Sequence, residues 1–214
     1  HYDRRRQRQM CIRDRLRSMP KEDNLPSYLR SELSAYNHLK NNPTIEEKDT
    51  SYFAPTLVQK ICSTKDQELA SHTFSHYYCL EEQSNSDSLS DKFSHDCEAF
   101  AEIVRQYNQP IKSIVFPRNQ WSKEALEILV KFSFTCYRGT EKHFLYQARN
   151  QEKQRNPIIR MLRIIDNYLN ISGHHTHRYE DLLPNNASPL INIPSSRFLR
   201  PYSKTLFLSL IHIS

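Results

Sequence analysis

The chain has 214 residues, 25% of them charged, with a formal net charge of +6. No apolar run reaches the ~18–20 residues of a membrane span. Only Gly139 and Gly173 are glycines, which excludes a P-loop or a Rossmann phosphate loop within this chain.

Both ends carry a non-native signature. Back-translated as CTG TCT CTT ATA CAC ATC, residues 208–213 have a reverse complement that, read one base further on, encodes Met-Cys-Ile-Arg-Asp. That is the sequence of residues 10–14. Two ends encoded by complementary strands of one short DNA point to a transposase end used in sequencing libraries, not to protein evolution. Residues 1–15 and 208–214 are therefore expected to be adapter-derived, leaving 16–207 as a native fragment. Residues 1–15 carry six Arg against Asp3 and Asp14, so most of the positive charge belongs to them and the rest holds a net of +2. The Arg4-Arg5-Arg6 run is then no nucleic-acid arm, and no nucleic-acid partner is expected. No signal peptide is visible, which carries no information once the N-terminus is replaced.

About 190 native residues suit one domain or most of a larger one. A helix is expected over 27–40, stopped by Asn41-Asn42-Pro43, and a short one from Pro55 through Ile61. Glu68-Leu69-Ala70 reads as a strand, followed by Ser71-His72-Thr73-Phe74-Ser75-His76. On a helical turn the four-residue spacing puts both imidazoles on one face, where a divalent metal is the usual reason for convergence. Surface histidines with no shared ligand are the bland alternative.

A polar loop over 84–90 leads into an amphipathic helix over 90–107, with Phe93, Cys97, Phe100, Ala101 and Val104 facing the core. Ile111 to Phe116 is a compact β-branched strand, and Pro117-Arg118-Asn119-Gln120-Trp121 is the loop after it. Ser122 can cap a helix over 123–132. Phe134 to Tyr137 is the next strand, with Arg138-Gly139-Thr140 as its exit. Pro157 opens a helix through Leu169 whose stripe of Ile158, Met161, Leu162, Ile165 and Leu169 is expected in the core. The tail to Tyr202 reads as Pro-rich and irregular. Cys62, Cys79, Cys97 and Cys136 show no C-x-x-C pair and read as buried free thiols. Strand, polar loop and helix recur three times, which predicts an α/β fold with parallel strands and chemistry in the loops after them.

The stretch from Glu68 to His76 resembles the second motif of the polysaccharide deacetylases (the NodB-homology domain, carbohydrate esterase family 4): a strand ending in small residues, then His-[Ser/Thr]-x-x-His. Ile114-Val115-Phe116-Pro117-Arg118-Asn119 is similar to that family's third motif, with a Pro–Arg order that departs from its commonest form. The resemblance spans about 50–200. It implies a partial, distorted (β/α) barrel lacking its first strand or strands. It further implies a divalent metal, zinc first, on His72 and His76, and removal of N-acetyl groups from a glycan.

The family's first motif, Thr-Phe-Asp-Asp, supplies the base and a third metal ligand. It has no counterpart here, since Asp23, Asp49 and Asp66 lack its context. By the same resemblance Arg118 holds the base ionised or contacts substrate, with a structural ion pair as its alternative. His174, after Leu169-Asn170-Ile171-Ser172-Gly173, is either the family's acid or a loop histidine without a role. Asn119 and Trp121 are candidate substrate contacts, though a lone Trp such as Trp121 is more often a packing residue. The fragment itself is expected to be inactive. The rival class is a catalytically degenerate carbohydrate-binding or scaffold protein of the same fold. The glycan, the oligomeric state and the localisation are open.

Overall fold

The structure, a computed structural model, describes residues 21–40, 55–83, 89–182 and 189–195. The expected non-native ends, the stop at 41–43 and most of the polar loop, 84–88, lie outside the described residues. Three short strands, β1 (Ser113–Val115), β2 (Cys136–Gly139) and β3 (Ile191–Pro194), form a parallel sheet in that order. Ser113 pairs with Cys136 and Val115 with Arg138, while Cys136 pairs with Ile191 and Gly139 with Pro194. The seven α-helices among the described residues are α1 (Ala35–Lys40), α2 (Pro55–Ser63), α3 (Leu89–Gln106), α4 (Lys123–Lys131), α5 (Gln151–Gln154), α6 (Pro157–Leu169) and α7 (Tyr179–Leu182). The protein is thus mixed α/β with a parallel sheet, and the described residues contain no closed barrel.

On the other side of β1 the sheet continues through Ser71. Its N–H donates to the Ser113 carbonyl at 2.9 Å, and its carbonyl accepts from Val115 N–H at 2.8 Å. The strand expected at 68–70 is therefore a single parallel bridge one residue later. β1 and β2 are joined through α4, which Ser122 caps by accepting Ala125 N–H at 3.1 Å. The chain turns back after α4 through Ser133 at φ 62°, with Phe134 N–H on the Leu129 carbonyl. This is a left-handed helix stop made without glycine.

The core lies between α3, α4 and the sheet. Phe93, Val104, Ile114, Phe116, Ile128 and Leu129 are almost completely buried, and Phe93 stacks on Phe116 with ring centroids 6.0 Å apart. Of the stripe expected on α3, Phe93, Cys97, Phe100 and Val104 are buried and Ala101 is partly so. Burial of such side chains stabilises by about 1.5–3 kcal/mol each.

Three expectations are corrected. The helix over 27–40 begins only at Ala35. Before it, Tyr28 bridges antiparallel to Gln83, and its hydroxyl accepts Tyr78 N–H at 2.9 Å, so tertiary pairing holds this segment extended. The stripe on α6 does not enter the core: Ile158 is 61%, Met161 54% and Leu169 69% exposed, while Leu162 and Ile165 are half-buried. The flank beside that stripe is the anchored one. Arg163 Nε donates to the Leu145 carbonyl, and one turn on, buried Asp166 accepts from the Tyr146 hydroxyl. Finally, the tail expected to be irregular supplies β3. Gly139 admits that strand, because a Cβ there would lie 2.0 Å from Asn192 Oδ1.

Candidate functional site

His72 and His76 are brought together, with ring centroids 5.0 Å apart and planes at 78°. They do not sit on a helix as the spacing suggested. After the Ser71 bridge the chain bends, with Thr73 at φ 60° and His76 at φ 58°. Left-handed backbone at a β-branched residue is strained, at a cost of order 1–2 kcal/mol. A dense set of hydrogen bonds offsets it. Asp96 on α3, only 3% exposed, accepts Phe74 N–H at 2.6 Å and Ser75 N–H at 2.7 Å, and also accepts from the Ser75 hydroxyl. Thr73 Oγ1 accepts Tyr77 N–H at 2.7 Å, and Ser71 Oγ accepts Thr73 N–H at 3.1 Å.

The His72 ring is oriented by β1. Its Nδ1 lies 2.7 Å from the Val115 carbonyl oxygen, which can only accept, so Nδ1 carries the proton and the neutral ring has its lone pair at Nε2. The proton position thus follows from the acceptor, and one imidazole has a fixed tautomer. Metal-ligating histidines are oriented in this way by a carbonyl or carboxylate on the other ring nitrogen. Among the described residues no group of three His, Cys, Asp or Glu side chains converges on a common point.

The second expected motif abuts the first. Phe116 to Gln120 leaves β1 through a tight turn in which Arg118 and Asn119 both have φ 54°. The Arg118 guanidinium lies 4.5 Å from the Tyr78 ring centroid, and the Tyr78 ring is 5.0 Å from that of His76. Arg118 also donates to Gln151 Oε1 at 2.7 Å and lies 3.7 Å from Glu81 Oε1. Arg118 thus sits in an ion pair with Glu81 beside the histidine loop.

Glu81 gathers this region. Its side chain is 4% exposed, accepts Gln120 Nε2 at 2.8 Å and Gln151 N–H at 2.7 Å, and has Arg30 at 3.5 Å. A buried carboxylate needs that company, since an unpaired one is costly. Sequence reading missed both Glu81 and Asp96. Asp96 had a signal, because it falls three residues after Phe93 and four before Phe100 on the core-facing stripe of α3. Glu81 had none, since its four partners come from three separate segments.

The remaining expected residues have other surroundings. Asn119 is partly buried in the tight turn, and its N–H donates to the Phe116 carbonyl. Trp121 is partly buried against the core, edge-on to Tyr137 at 5.8 Å, with no acceptor for Nε1 among the described residues. His174 is exposed in the loop after α6, while its neighbours make the contacts: His175 Nε2 meets Ser172 Oγ at 2.9 Å, and His177 Nε2 meets Glu141 Oε1 at 2.9 Å.

The four cysteines seen are free thiols, with Cys79 and Cys97 buried and Cys62 and Cys136 partly so. Burial pushes the Cys79 and Cys97 thiols well up, with nearby Asp96 adding to the effect. Comparison of the chain with family models, with curated proteins and with solved structures found no match.

Proposed function

We propose that the intact protein is a metal-dependent deacetylase that removes N-acetyl groups from a glycan, on a distorted (β/α) barrel of the polysaccharide deacetylase type. The observation that carries this reading is the convergence of His72 and His76, with His72 Nδ1 engaged by the Val115 carbonyl. The donor set fits a borderline divalent ion such as zinc, which takes imidazole nitrogens with a hydrogen-bonded second ring nitrogen.

When bound, such an ion polarises an acetamide carbonyl and acidifies a water. The chain's own residues do the rest. Asp96 and Thr73 hold the loop in its strained bend so that the two rings face one another. The Val115 carbonyl fixes the His72 ring and its tautomer. Arg118, held by Gln151 and Glu81 over Tyr78, places a cation beside the loop. His174 and Asn119 keep the roles of acid and substrate contact only as implied by the resemblance.

Two measurements test this. Zinc titrated into the 214-residue chain should bind, and His72→Ala and His76→Ala should each weaken binding at least about tenfold. The upstream coding sequence in the source DNA should carry an Asp-Asp pair at the end of an apolar run. An upstream strand without those carboxylates would favour the binding or scaffold protein. Turnover of N-acetylated oligosaccharide by the chain as it stands should be negligible.

A further inference from the structure

The two histidine rings are held in different ways. A carbonyl on β1 fixes His72 through Nδ1, whereas the His76 ring meets two others edge-on, that of His72 at 5.0 Å and that of Tyr78 at 5.0 Å. Tyr78 is only 2% exposed, so its close-packed ring has little room to turn. Two further groups hold it. The Tyr28 hydroxyl accepts the Tyr78 N–H at 2.9 Å, and the Tyr28 ring lies edge-on to that of Tyr78 at 5.7 Å. The Arg118 guanidinium lies over the Tyr78 ring, 4.5 Å from its centroid, as a cation–π contact. Arg118 is itself held by Gln151 and Glu81.

Tyr78 therefore touches a histidine of the first expected motif and the arginine of the second. It also follows His76 by two residues, so fixing Tyr78 restrains the backbone as it leaves His76 at φ 58°. We infer that Tyr78 is a positioning residue of the metal centre. It orients the His76 ring, as the Val115 carbonyl orients that of His72, and it carries the hold of Arg118 to that ring. The inference rests on the deacetylase reading for the metal, while the ring contacts stand without it.

The test combines zinc affinity of the 214-residue chain with long-range ¹H–¹⁵N correlation of the histidine rings in the absence of zinc. Tyr78→Leu removes the ring and should weaken zinc binding about tenfold, as loss of a group that orients a metal ligand does. Tyr78→Phe keeps the face under the guanidinium and should bind zinc within about twofold of wild type. Arg118→Met should weaken zinc about threefold, and no further once Tyr78 is replaced by Leu, because the effect passes through the ring. Without zinc, Tyr78→Leu and Arg118→Met should each move the His76 ring resonances and leave His72 protonated at Nδ1. A role in core packing alone would lower stability without this selectivity. Undiminished zinc affinity in Tyr78→Leu, equal losses for Leu and Phe, or additive effects of the Tyr78 and Arg118 changes would overturn the inference. Where Tyr78→Leu does not fold, Arg118→Met decides, and an unmoved His76 ring overturns it. A wild-type chain that ignores zinc but shows the zinc-free His76 shifts would uphold the orienting contact and defeat the metal reading instead.

Discussion

The Asp96 carboxylate on α3 accepts the backbone N–H of Ser75 at 2.7 Å, and so fixes the bend that turns His72 toward His76. Replacing Asp96 by Ala leaves the Phe74 and Ser75 N–H groups buried without acceptors, at about 1–3 kcal/mol for each buried group left unsatisfied. Asp96→Asn keeps one acceptor oxygen and should lose less. Denaturant melts should rank wild type above Asp96→Asn above Asp96→Ala, with zinc affinity falling in the same order.

The buried thiols make the fold sensitive to alkali. Cys79 and Cys97 have folded pKa values raised by desolvation above an unfolded value of about 8.5. The unfolded chain therefore releases these protons first as pH rises. Their contribution is complete below about pH 8.5 and declines above it, by up to about 1.4 kcal/mol per pH unit for each thiol. Denaturation midpoints should drop between pH 8 and pH 10 in wild type, by more than in Cys79→Ser. Native-state alkylation near pH 8 should spare both residues.

Gly139 and Asn192 are coupled across β2 and β3. Gly139→Ala drives a methyl into Asn192 Oδ1 and should cost about 1–3 kcal/mol of overpacking. Asn192→Ala clears the space, so the double variant should be more stable than the sum of the two single changes. An additive double-mutant cycle would contradict this packing.

The outward face of α6 makes a simple contrast. Met161→Lys should change stability by no more than about 0.5 kcal/mol, as for an exposed position. Phe93→Ala, at a completely buried site on α3, should cost about 3–5 kcal/mol.

Much of the framework was legible in the chain because local signals and tertiary packing agree there. Ser122 caps α4, Pro157 opens α6, and the apolar stripe of α3 faces the core. The pairing of the His72 and Arg118 segments also followed from reading each as a loop after a parallel strand. Where the reading failed, a longer-range contact had overridden a local preference. Tyr28 is held extended by Gln83 and Tyr78, in sequence that alone favours a helix. On α6 periodicity located an amphipathic helix, yet the anchored side is the one bearing Arg163 and Asp166, because their hydrogen bonds to Leu145 and Tyr146 are specific. The histidine loop shows the same limit: spacing placed two imidazoles together, but a strained bend held by Asp96 does it, not a helix.

The most direct test of the metal reading is long-range ¹H–¹⁵N correlation of the histidine rings, recorded with and without zinc. The account predicts that His72 is protonated at Nδ1, and that zinc shifts the Nε2 resonance of His72 together with a ring nitrogen of His76. A His72 ring protonated at Nε2, or a zinc titration that leaves both rings unmoved, would contradict it.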